Sequence, residues 1–228
     1  MEKLPSGSPS LDRLLHGGLS PSQLTLFYGE AGSGKTVLAL QFSLQAARMG
    51  RQVVYVDANG EFPAERVWRM GVEAERLLPS IGLFTPRNFY EQTILIENFD
   101  RILPGKTGLL VFDTINSLYR LAAVNPEITT PANKELNRQL AYLARIARTF
   151  NIPVLLTSQV RGVLADENLQ AEKVEPVASR ILRFWCSNIV QLRRTGKPNV
   201  KAAFLEVLKG REKKGVFCHF RVTDWGVE

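Results

Sequence analysis

Eight consecutive residues carry the clearest chemical signal in this chain: Gly29-Glu30-Ala31-Gly32-Ser33-Gly34-Lys35-Thr36, a full match to G-x-x-x-x-G-K-[ST]. The chemistry explains the spacing. Glycines let successive backbone N–H groups turn inward around phosphate oxygens, where side chains would clash. Lys35 then reaches the outer phosphates, and the Thr36 hydroxyl is placed to ligate magnesium. A helix starting at Lys35 would aim its positive end at the same anion. A second acid should stand at another strand tip. Leu109-Leu110-Val111-Phe112-Asp113 supplies it, with Asp113 holding the magnesium through a water. The expected ligands are ATP and Mg2+.

The elements that must position these residues alternate short apolar runs with longer amphipathic ones. That pattern predicts parallel strands joined by crossover helices. Strands are predicted at Leu24 to Tyr28, Val53 to Asp57, Leu109 to Asp113 and Val154 to Thr157. Helices are predicted at Lys35 to Met49, from Ala64, at Phe89 to Asp100 and at Asn133 to Phe150. Val160 to Val177 is polar and reads as one long loop. Beyond it, Ser187 to Leu192, Ala202 to Leu208 and Val216 to Val222 read as strands joined by turns. The expected fold is therefore α/β, a mostly parallel central sheet flanked by helices and extended by antiparallel C-terminal hairpin strands. The whole span 1–228 reads as one domain.

Charge is unevenly distributed. From Arg180 to Arg221 there are eleven Lys and Arg against two acids, while the rest of the chain holds 18 basic and 20 acidic residues. A basic C-terminal third points to a polyanion, and Lys209, Arg211, Lys213 and Lys214 on a glycine-flanked turn are the expected phosphate contacts. Arg193, Arg194 and Lys197 form a second cluster, expected on the neighbouring turn. A solvated basic hairpin is the plainer alternative. No apolar run reaches the roughly 20 residues a bilayer span needs, and the N-terminus has no apolar leader, so an intracellular, cytoplasmic protein with no membrane partner is expected. Cys186 and Cys218 match no metal spacing and read as buried apolar residues. Phe184 and Trp185 read as core. Trp225 is a candidate to pack on the sheet, and Trp68 is left open.

These residues together resemble the RecA-superfamily recombinase core, and most closely the archaeal RadB family. The resemblance rests on ordered blocks: Pro5 to Asp12 with Leu15 to Leu19, Val54 to Asp57 followed by Gly60, Phe62 and Glu65-Arg66, Ser117 to Arg120, Phe150 to Val160, and Phe220 to Glu228. It implies a RecA-like ATPase that binds DNA without sequence preference and serves repair and homologous recombination. It also implies a RadA-type recombinase or a junction nuclease as partner. With the core starting within about ten residues of Met1, the N-terminal helical domain and docking linker of full recombinases are expected to be absent. By the same resemblance Gln159 is a γ-phosphate sensor and Arg66 an adenine-stacking guanidinium, a helix-surface cation being the alternative for Arg66. Arg120 and the stretch from Arg161 fall on the two DNA-facing loops.

One position departs from the pattern. Recombinases carry a glutamate two residues after the Asp of the second strand, and here that residue is Asn59. An amide cannot accept a proton from water. Loss of a placed base costs a factor of about 100 to 10,000, so weak hydrolysis is expected, with Lys35, Gln159 and a displaced Glu61 as the remaining candidates for catalysis. A clock-type or signalling ATPase acting on protein partners is the runner-up reading, and an efficient motor the third.

Overall fold

The computed structural model describes residues 2–124, 126–162 and 174–228, without the side chains at 126–128 and 161–162. From the N-terminus, α1 (Pro9–Leu14) precedes β1 (Leu24–Gly29), α2 (Lys35–Arg48) and β2 (Gln52–Asp57). Next come α3 (Ala64–Arg69), α4 (Val72–Leu77), β3 (Ile81–Phe84), α5 (Phe89–Glu97) and α6 (Phe99–Ile102). The middle of the chain forms β4 (Thr107–Asp113), α7 (Ser117–Ala122), α8 (Pro126–Thr149) and β5 (Val154–Ser158). It continues through β6 (Val160–Gly162), β7 (Val174–Pro176), α9 (Ser179–Trp185), β8 (Asn188–Arg194) and β9 (Val200–Leu208). The last strands are β10 (Arg211–Glu212), β11 (Phe217–Thr223) and β12 (Gly226–Val227).

Ten of these strands join in one sheet of order β12-β11-β9-β8-β1-β5-β4-β2-β3, with β10 paired to β9. From β8 to β3 every pairing is parallel; β9, β10, β11 and β12 are antiparallel. Strands β1, β4 and β5 are fully buried, because helices cover both faces and every residue meets protein. The pleat then divides each strand. Leu110 and Phe112 pack with Leu140 and Leu143 of α8 on one face, while Leu109 and Val111 pack with Leu38 and Phe42 of α2 on the other.

The predicted strands and helices are present, except that the run Phe89 to Asp100 is divided at Asn98 into α5 and α6, and α1, α4 and α7 stand beyond those expected. Helix α8 starts seven residues before Asn133 and carries Pro131 inside it, where proline reads from sequence as a boundary. The stretch read as one loop begins and ends in strands, Val160–Gly162 pairing with Val174–Pro176; residues 163–173 lie outside the described residues. The edge strand β3 is four residues with Gly82 inside it, too short and too broken to announce itself.

Because β8, β1, β5, β4 and β2 run parallel, Arg194, Gly29, Ser158, Asp113 and Asp57 end on one edge of the sheet. Open α/β sheets bind ligands outside this carboxyl edge.

Candidate functional site

The loop from Gly29 to Thr36 joins central β1 to α2 on that edge. A Cβ at Gly29 would lie 2.2 Å from the Leu192 carbonyl oxygen, so only glycine lets β1 end this close to β8. Gly34 holds φ 99° at the N-cap of α2, a left-handed conformation that L side chains rarely adopt. No side chain caps α2, so its first N–H groups are left for a ligand. Ser33 Oγ is buried with no hydrogen-bond partner among the described residues. An anion fits this cradle: unspent backbone donors, an unspent hydroxyl and the positive end of a 14-residue helix meet in one place.

Lys35 is buried, and its Nζ donates to the carbonyl oxygens of Gly29 at 2.8 Å and Glu30 at 2.7 Å. Burial pulls its pKa down, and the Asp113 and Glu30 carboxylates push it back up. That coupling places Asp113, at the tip of β4, within the electrostatic reach of the loop. Asp113 is buried; its Oδ2 accepts from the Tyr55 hydroxyl at 2.8 Å and its Oδ1 from the Thr157 hydroxyl. Neutral hydroxyl donors hold the carboxylate in place without neutralising it. Thr36 stands on the first turn of α2, and its hydroxyl and the Asp113 carboxylate are the oxygen donors a hard cation takes.

Asp57, at the tip of β2, pairs in register with Asp113. Its Oδ1 accepts the N–H groups of Asn59 and Gly60, both at 3.0 Å, while its Oδ2 is buried without a partner. Burial raises its pKa, against the lowering effect of those N–H donors. Asn59 is exposed, and its Oδ1 accepts from Ser117 on α7. Glu61 is exposed beyond Gly60 and makes no hydrogen bond among the described residues. Gln159 follows β5, and its Oε1 accepts from Arg120 Nη1 at 2.5 Å. The side chain of Arg161 lies outside the described residues.

Arg66 is no free helix-surface cation. Its Nη2 donates to the Thr223 carbonyl oxygen at 2.7 Å, tying α3 to the end of β11, and its Nε is buried and unpartnered. With Phe62, Pro63, Ala64, Glu65 and Arg69 it lines a cleft of about 440 Å³.

The two basic clusters are not neighbours. Arg193 and Arg194 end β8 on the carboxyl edge, where they line a space of about 190 Å³ with Glu30, Val174 and Leu192. The Lys209–Gly210 turn sits at the start of the same strand: Lys209 N–H donates to Asn188 Oδ1 and Gly210 N–H to the Ser187 carbonyl. Lys3 lies near enough for Lys209 to lower its pKa, second to its own burial. Six residue steps of β8 separate the ends, about 20 Å at strand rise. The sequence alone suggests adjacent turns for both clusters; consecutive turns of a hairpin ladder instead fall on opposite edges of the sheet.

Several side chains also differ from expectation. Phe184 is 75% exposed on the last turn of α9, and Trp185 is half-buried, donating from Nε1 to Asn137. Trp225, 72% exposed on the β11–β12 turn, does not pack on the sheet, and Trp68 faces solvent. Cys186 is buried as expected, whereas Cys218 is half-buried. Tyr55, Thr157 and Ser117 join the site without having stood out in the sequence. A hydroxyl inside an apolar strand beside an acid-tipped one is the available signal for the first two.

A strand–loop–helix phosphate cradle facing a buried acid across a mostly parallel sheet defines a P-loop nucleotide-binding protein of RecA-like α/β fold. The family model described as Rad51 matches residues 1–228, and the chain belongs to that family. A "DNA repair and recombination protein RadB" of Thermococcus kodakarensis is 38% identical over 99% of this chain and 98% of its own. The protein of that name from Methanothermobacter thermautotrophicus is 31% identical over 99% and 95%. A solved structure titled "Crystal structure of the RadB recombinase" superposes with TM-score 0.80 at 36% identity, covering 98% of each chain.

Proposed function

We propose that this chain is an ATP-binding accessory protein of DNA repair and homologous recombination, which holds Mg·ATP, binds DNA through phosphates and turns ATP over slowly. The observation that carries it is the cradle of Gly29 to Thr36 set against Asp113. In this reading the N–H groups of the loop other than that of Ser33, which donates to the Glu30 carbonyl oxygen at 3.2 Å, and the Ser33 hydroxyl donate to phosphate oxygens, with Lys35 leaving the loop carbonyls for the outer phosphates. Thr36 and Asp113 hold magnesium, which when bound neutralises charge on the transferring phosphoryl group. Arg66 flanks the base from its cleft beside Thr223, and residues 1–228 act as one ATPase core. The relatives carry names of DNA repair and recombination, which supports DNA over a protein substrate. Among the described residues no helix is long and apolar enough to cross a membrane.

Arg120, Arg193 and Arg194 on the nucleotide edge, and Lys209, Arg211, Lys213 and Lys214 on the opposite edge, are the proposed phosphate contacts. Arg161 belongs with the first group by its place in the chain. A RadA-type recombinase is the proposed protein partner. Slow turnover follows from Asn59, whose oxygen is already engaged by Ser117. The test is a DNA titration with and without ATP at two salt concentrations, with turnover measured alongside. Tight, salt-sensitive DNA binding with slow hydrolysis supports the reading; fast hydrolysis without DNA affinity overturns it.

A further inference from the structure

Asp113 and Asp57 end neighbouring strands in register, yet they are held differently. The Asn59 and Gly60 N–H groups both reach the same oxygen of Asp57. Asp113 instead takes a side-chain donor on each oxygen: the Tyr55 hydroxyl of β2 on Oδ2 at 2.8 Å, and the Thr157 hydroxyl of β5 on Oδ1. An ionised carboxylate only accepts, so both hydroxyls donate. Strands β2 and β5 flank β4 in the sheet, so the two donors reach Asp113 from opposite sides. Tyr55 is 1% and Thr157 0% exposed, and the Tyr55 ring lies edge-on to Phe62 with centroids 5.1 Å apart. Neither side chain meets solvent, and each has its one hydroxyl hydrogen committed to Asp113. Turning the carboxylate out of its plane breaks both contacts at once.

From this arrangement we infer that Tyr55 and Thr157 are positioning residues for magnesium: they set how tightly the cation is held at Asp113, without touching cation or nucleotide. The inference rests on the proposed nucleotide site and extends it. A carboxylate free to rotate must be immobilised when a cation binds, and that cost weakens binding. Here two buried donors on neighbouring strands immobilise it as part of the fold. Each takes one of the roughly four lone-pair positions of the carboxylate, so both oxygens keep capacity for a cation or for its water. Removing either hydroxyl leaves the charge of Asp113 in place and takes away its orientation. Loss of such an outer partner changes metal affinity by about 10- to 100-fold.

The experiment is binding of a non-hydrolysable ATP analogue, by calorimetry, to the intact protein and to Tyr55→Phe, Thr157→Val and Thr157→Ser, with magnesium varied from none, in EDTA, to excess. Tyr55→Phe and Thr157→Val keep the shape of the buried side chain and remove its hydroxyl, and thermal melting of the nucleotide-free proteins checks that each variant folds. The magnesium concentration that gives half of the full gain in affinity should rise about tenfold in each of these two. Affinity in EDTA should stay at the parent value, and Thr157→Ser should keep the parent response to magnesium. An unchanged or lower half-point in either hydroxyl-free variant overturns the inference. So does an equal loss in EDTA, which marks a structural role, or a shift in Thr157→Ser as large as that in Thr157→Val. If magnesium leaves the affinity of the unmodified protein unaltered, or no nucleotide binds, the nucleotide site itself is refuted, and that result is read from the unmodified protein alone.

Discussion

Lys35 Nζ donates to the Gly29 carbonyl oxygen at 2.8 Å, so the lysine proposed to meet the phosphates also closes its own loop. A ligand must compete with that contact and with the one to Glu30. The two contacts tie the start of α2 back to the end of β1.

Replacing Lys35 by alanine removes both the loop contact and the phosphate contact. Charge-assisted hydrogen bonds contribute about 1.5 to 3 kcal/mol. ATP affinity should therefore fall at least about tenfold, measured by nucleotide titration. Retained affinity would show that the loop is not the nucleotide site.

Asn59→Glu restores a proton acceptor at the exit of β2. Turnover should rise by about 100-fold or more, the range a placed general base supplies. Steady-state phosphate release is the readout, and an unchanged rate would count against this position as the cause of slow hydrolysis.

Asp57 responds to pH. Burial raises its folded pKa, so its charged form is disfavoured by folding, a penalty absent below the ordinary carboxylate pKa near 4 and growing as pH rises past it. Asp57→Asn keeps an oxygen for the Asn59 and Gly60 N–H groups. The variant should match the parent near pH 3.5 and exceed it in Tm at pH 7 to 8; a gain confined to acid pH would reverse the argument.

The thiols should be unreactive. Burial pushes Cys218 up to about 11 and Cys186 higher still, so neither is a thiolate at pH 8. Alkylation of the folded protein at pH 8 should be slow at both, and Cys218 should label first as pH approaches its pKa.

Neutralising Lys213 and Lys214 together should weaken DNA binding and reduce the magnitude of the salt slope by about two, one for each phosphate that no longer has a cation beside it. No change in slope would assign the turn to solvation.

The cradle is legible in the sequence because its chemistry is local: glycines, lysine and threonine at fixed offsets in one segment. Asp113 is legible for the same reason, as the polar end of an apolar run. The Tyr55 and Thr157 donors are not, because they reach Asp113 from β2 and β5, and strand order is a non-local property. The separation of the basic clusters is hidden too, since it depends on the direction of β8 and β9. Phe184 misleads because apolar type does not reveal which side of a short helix a residue takes.

The length of β8 sets a ruler for any bound duplex. With Arg194 at one end and Lys209 beside the other, a duplex lying along the β8–β9 hairpin would meet both. At about 3.4 Å per base pair, about 20 Å corresponds to a minimum footprint of roughly six base pairs. If both clusters contact one duplex lying this way, shorter oligonucleotides should engage one end alone, and the dependence of affinity on duplex length should show a step at that size.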